Sequence, residues 1–179
     1  NRAGVEQLSA ADTHTDIEFI GVPSIVVDGE AVSSSVIRIA IVSGNCELAA
    51  KMLGRNYSIQ GVVADGEKRG REIGFPTANI KPEFAVTVPD NGIYATIAEV
   101  DGNNHSAATS IGVRPTFETD GGRTIEAFLL DFDGDVYTKR LRLEFVKRLR
   151  SEVAFETVEQ LIEQMNKDVE QTREILAKT

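Results

Sequence analysis

The sequence predicts a mainly β protein: an antiparallel barrel or sandwich carrying a C-terminal helix and preceded by a short α/β segment. Three observations lead there. From Tyr57 onward, short runs rich in β-branched and aromatic residues (61–64, 92–100, 106–113, 125–132 and 140–146) are separated by Asp-Gly and Gly-Gly turns. Within the last run, Arg140-Leu141-Arg142-Leu143-Glu144-Phe145 alternates polar and apolar residues, as a strand does with one face in water and the other on a core. Near the end, Val158, Leu161, Ile162, Met165, Val169 and Leu176 recur at helical spacing.

Taken in order, residues 15–55 read as the end of an α/β unit. Apolar runs near 17–22 and at 25–27 lead to an Asp28-Gly29 turn, after which Ser33, Ser34 and Ser35 can N-cap a helix bearing Val36, Ile37, Ile41 and Val42. Gly44-Asn45 stops that helix, and 47–53 reads as a second short one closed by Gly54. A segment of about 40 such residues cannot close a core of its own, so the unit boundary is placed at 54–57. At the far end, Thr157 and Gln160 have capping-box spacing, which starts the last helix near Thr157 and lays its apolar stripe on the barrel.

Composition narrows the function. The 179 residues are 41% hydrophobic and 26% charged, as in ordinary soluble domains. A net charge of −9 disfavours any general affinity for nucleic acid or anionic lipid, both of which need a basic surface. No stretch approaches the ~18 apolar residues of a membrane span, and no basic-then-apolar leader opens the chain. The single cysteine, Cys46, excludes an internal disulfide, and with His14 and His105 as its only histidines the chain has no cluster of soft ligands for structural zinc. A cytoplasmic setting is expected.

The chemistry-bearing stretch is 61–79. Glycines at 61, 66, 70 and 74 let the backbone approach a ligand, and Lys68, Arg69 and Arg71 place positive charge beside it. It is neither a Walker loop nor a dinucleotide fingerprint, which leaves a phosphate-holding flap or a loop with turn glycines. In Pro76-Thr77-Ala78-Asn79 an extended backbone puts Thr77 and Asn79 on one side, offering a hydroxyl and an amide carbonyl. Mg²⁺ takes such hard neutral ligands when nucleotide phosphates and water complete its shell; a polar turn bonding its own backbone is the other possibility. Glu126 shares a strand face with Phe128, Leu130 and Phe132, while Ile125, Ala127 and Leu129 take the other. A carboxylate between two apolar faces is either in a structural ion pair or on the wall of a cleft.

Together these features resemble the riboflavin kinase family over most of 57–168. Gly74-Phe75-Pro76-Thr77-Ala78-Asn79 looks like the family's nucleotide and magnesium motif, and Asn91-Gly92-Ile93-Tyr94-Ala95 like its next strand. Gly112-Val113-Arg114-Pro115-Thr116-Phe117 resembles its second flap, and Ile125-Glu126 with Leu129-Leu130-Asp131-Phe132 the strand of its catalytic glutamate. The segment 147–152 with Phe155 resembles the lead-in to its C-terminal helix.

The resemblance implies a six-stranded antiparallel Greek-key barrel with a C-terminal helix, and transfer of the ATP γ-phosphoryl group to the ribityl 5′-hydroxyl of riboflavin, giving FMN and ADP. It implies Glu126 as catalytic base and Mg²⁺ held by Thr77 and Asn79. Gly66, Lys68, Gly70, Arg71, Gly74, Phe75, Pro76 and Tyr137 join those two on the ATP side, and Arg150 and Val153 join Glu126 on the flavin side. Arg150 is equally open to capping a helix or pairing with Glu152. One departure is Phe128, where the family often has histidine.

The N-terminal segment, with Ser33, Ser34, Ser35, Arg38, Gly44 and 49–57, resembles the tail of the FMN adenylyltransferase module of bacterial bifunctional FAD synthetases. Residues 1–55 are thus expected to be a remnant of that module and 56–179 the kinase domain. The chain opens on Asn1 and shows no His-x-Gly-His motif, so we expect a cut chain that makes FMN but not FAD. Two rivals remain: a non-catalytic flavin- or nucleotide-binding barrel, which needs no Glu126, and an interaction module, which leaves Thr77 and Asn79 without a role.

Overall fold

Residues 23–66, 69–113 and 123–178 are described in a computed structural model. Strands β1 (Val26–Val27) and β2 (Glu30–Ala31) pair around Asp28-Gly29, both at positive φ as a tight hairpin requires. Helix α1 (Ser34–Val42) starts on Ser33, whose hydroxyl accepts the Val36 N–H at 3.3 Å. Helix α2 (Cys46–Leu53) starts on Asn45, which accepts from the Leu48 N–H at 3.1 Å, and ends at Gly54 in the left-handed conformation. The expected apolar run at 17–22 lies outside the described residues.

Six strands then close a barrel: β3 (Tyr57–Ala64), β4 (Ala78–Pro82), β5 (Gly92–Val100), β6 (Asn103–Val113), β7 (Arg123–Leu129) and β8 (Arg140–Arg150). A short helix, α3 (Arg69–Glu72), lies between β3 and β4, and α4 (Val158–Leu176) follows the barrel. Around the barrel the order is β3-β4-β7-β6-β5-β8, with every pair antiparallel. β5, β6 and β7 are sequential neighbours, and β8 returns beside β5, so the four form a Greek key. The barrel and its C-terminal helix are thus as expected.

Strand alternation fills the interior. Ile59, Tyr94, Ile111, Leu141, Leu143 and Phe145 are wholly buried there, each stabilising the fold by roughly 1.5–3 kcal/mol. The buried hydroxyls of Thr96 and Thr109 lie 2.7 Å apart; with Thr96 donating to the Ala107 carbonyl at 3.0 Å, that buried pair has its partners. Cys46 of α2 belongs to the same apolar cluster, so the helical hairpin is packed onto the barrel.

Two local expectations are corrected. β7 ends at Leu129; the Leu130 N–H turns back to the Ser106 carbonyl, and Asp131 takes φ 55°, so Leu130 and Phe132 do not continue the face of Glu126. The outer face of β7 is also only half-buried, whereas Ile125, Ala127 and Leu129 on the inner face are buried. Helix α4 begins as expected, the Thr157 hydroxyl accepting the Gln160 N–H at 3.3 Å, and packs on β5, β6 and β8. Among the described residues no helix is long and apolar enough to cross a membrane.

Candidate active site

Because Ile125 and Ala127 point into the barrel, Glu126 and Phe128 point out of it, toward α4. In register, Glu126 stands between Asn79 of β4 and Ser110 of β6. On this outer surface lies a cavity of about 280 Å³, with Glu126, Ser110 and Thr77 on its barrel side and Leu161, Met165 and Val169 of α4 as its roof. Phe128 packs edge-on against Phe75 at 5.2 Å, so the departure from histidine supplies an apolar wall.

Arg150 and Val153 also line this cavity. β8 carries an extra residue between the pairs Ile93↔Arg150 and Tyr94↔Arg148, a bulge that places Arg150 and Ile93 side by side on the cavity wall. Arg150 pairs with Asp168 of α4, not with Glu152: Nε donates to Oδ1 at 2.9 Å and Nη2 to Oδ2 at 2.6 Å. Gln164 adds a bond to Asp168 Oδ1 at 3.0 Å, and Arg150 Nη1 donates to the Ser151 carbonyl. Asp168 went unread as a site residue, although one carboxylate three positions after Met165 on an apolar stripe is a signal for a buried partner.

A second cavity, about 370 Å³, lies across Thr77. Arg71, Pro76, Thr77 and Ala78 form one side, and residues 132–137, Tyr137 included, the other. Thr77 is common to both cavities, and its hydroxyl donates to Glu126 Oε2 at 3.3 Å. Ala78 is buried inside the barrel, so Thr77 and Asn79 share the outer side as their spacing implies.

Gly66 and Gly70 stand where close approach demands glycine. A Cβ on Gly66 would strike the Asn79 amide; one on Gly70 would strike the Phe75 carbonyl and come within 3.6 Å of Thr77 Oγ1. The Phe75 N–H donates to the Gly70 carbonyl at 2.8 Å, and Gly74 turns the chain at φ 87°. Lys68 and residues 114–117 of the second flap motif lie outside the described residues.

Glu126 makes no ion pair among the described residues, which favours the cleft-wall alternative over a structural pair. Nor do the described residues include a cluster of three or more His, Cys, Asp or Glu side chains able to hold a metal. Thr77 and Asn79 still suit a hard divalent ion, because they present neutral oxygens beside a backbone cradle kept free of side chains. Ser33, Ser34, Ser35 and Arg38 line neither cavity; Ser33 serves as the cap of α1.

The fold is thus a closed Greek-key barrel with two cavities on its outer surface that share Thr77 in their walls. The family model for riboflavin kinase (flavokinase) matches residues 53–176. The chain is 44% identical over 139 residues to the bifunctional riboflavin kinase/FMN adenylyltransferase of Bacillus subtilis (strain 168), covering 76% of this chain and 44% of that protein. It is 40% identical over 149 residues to the protein of the same description from Listeria monocytogenes, covering 83% and 48%. It also superposes on the crystal structure of a macrolide-efflux protein from Streptococcus pneumoniae with a TM-score of 0.85 at 34% identity, covering 94% of this chain and 54% of that one. The chain belongs to the riboflavin kinase family. It spans about half the length of the curated relatives it matches.

Proposed function

We propose that this chain transfers the γ-phosphoryl group of ATP to the ribityl 5′-hydroxyl of riboflavin, releasing FMN and ADP. The observation that carries the reading is the Thr77–Glu126 contact at the seam of the two cavities. A flavin has an apolar ring and a hydroxylated tail, which suits a cavity with aromatic and aliphatic walls and a carboxylate on its barrel side. A nucleotide in the second cavity would bring its terminal phosphate to Thr77 from the opposite side.

Glu126 accepts the proton of the 5′-hydroxyl as the oxygen attacks the γ-phosphorus in line, and the P–O bond to ADP breaks. Thr77 and Asn79 would hold the divalent ion, Mg²⁺, which supplies charge neutralisation between the phosphates. Arg71 faces the second cavity as a phosphate-side cation, and Lys68 is assigned there by motif alone. Arg150 keeps α4 over the flavin side, with Val153 at the rim. Residues 56–179 are assigned as the kinase domain and 1–55 as the tail of an FMN adenylyltransferase module, whose activity would belong to a longer protein.

Incubating the chain with riboflavin, ATP and Mg²⁺ and separating the flavins by chromatography tests the reading. FMN is expected, and a well-folded chain that yields none refutes it.

A further inference from the structure

The loop between β7 and β8, which walls the second cavity, closes on a turn at 136–139 in which the Lys139 N–H donates to the Val136 carbonyl at 3.1 Å. Its third position is Thr138, at φ 62°. Turns with a positive φ there are the province of glycine and asparagine, and a β-branched side chain is crowded most in that region. The conformation is nevertheless fastened. The Thr138 N–H donates to the Val63 carbonyl and the Val63 N–H to the Lys139 carbonyl, each at 3.0 Å, which pins the turn to β3. The preceding residue, Tyr137, lines the cavity, and its N–H is accepted by Asp135 Oδ1 at 2.9 Å. Thr138 is itself exposed and does not line the cavity, so no burial of its side chain explains a branched residue on this backbone.

We propose that Thr138 is a positioning residue for the nucleotide: its left-handed backbone presents Tyr137 to the cavity, while its strain opposes the seated turn and weakens nucleotide affinity. This rests on reading the second cavity as the nucleotide side. Strain persists where surrounding contacts hold it, and a binding-competent state that is only partly populated lowers apparent affinity by that fraction.

The test compares Thr138→Asn and Thr138→Gly, which relieve the strain, with Thr138→Val, which keeps the branching. Calorimetric titration with MgADP and fluorescence titration with riboflavin are run on each full chain, with Tm alongside. Asn and Gly are expected to tighten MgADP binding on the order of two- to fivefold, leave riboflavin affinity unchanged and raise Tm, with Val giving no tightening. A raised Tm with unchanged MgADP affinity would make the strain purely structural and overturn the proposal, as would equal shifts for both ligands. Failure of the underlying reading shows separately, as a wild-type chain that binds riboflavin but not MgADP, and overturns both.

Discussion

The hydroxyl of Thr77 donates to the carboxylate of Glu126 at 3.3 Å, and that contact lies where the cavity under α4 meets the cavity beside Tyr137. On the proposed assignment, removing the hydroxyl takes away both an orienting bond to the base and one neutral oxygen of the metal site. Thr77→Val is expected to lower kcat/KM on the order of 10- to 100-fold, with Thr77→Ser restoring most of it. Steady-state kinetics on both variants check this; equal activity of the valine variant would remove Thr77 from the site.

Asn79 sits opposite Glu126 in the β4–β7 ladder and beneath Gly66. Asn79→Ala is expected to weaken MgATP on the order of 10-fold while leaving riboflavin affinity within about twofold. Separate titrations with each substrate decide it, and a loss confined to riboflavin contradicts the metal-side role.

The ion pair from Arg150 to Asp168 fastens α4 over the cavity proposed to take the flavin, with side chains only 20% and 5% exposed. Removing the cation strands a buried carboxylate with Gln164 as its remaining side-chain donor. Arg150→Met should therefore cost about 3 kcal/mol of folding stability in urea titration, and weaken riboflavin binding more than MgADP binding. A cost below about 1 kcal/mol would mean that α4 is held mainly by its apolar stripe.

Much of this was legible before any coordinates. β5 lies where its run of residues put it, and two of the 61–79 glycines, Gly66 and Gly70, mark the positions where a side chain would strike Asn79 or Phe75. β4 was hidden as a strand, being five residues long, ending in proline and carrying polar Asn79. Arg150 was legible only as a residue of uncertain partner, because Asp168 lies 18 residues away on another element. The bulge at the end of β8 also breaks the alternation by which a facing direction is read.

Cys46 gives a pH test independent of the chemistry. Burial pushes its thiol pKa from an ordinary 9.0 up to about 12, so the unfolded chain releases that proton first. Its contribution to stability is whole below about pH 9 and is lost as pH rises toward 12. Tyr94, raised by burial from 10.0, adds to the loss only above that value. The urea midpoint should fall between pH 9 and 10, and fall less steeply in Cys46→Ala. Thiol reagents at pH 8 should label Cys46 only on unfolding.

The central claim is that Glu126 takes the proton of the flavin hydroxyl, and single-turnover FMN formation by Glu126→Gln tests it most directly. The account expects the variant to bind riboflavin and MgADP as the wild type does and to form FMN roughly 10²- to 10⁴-fold more slowly. FMN formation at the wild-type rate with both ligands bound normally would contradict it.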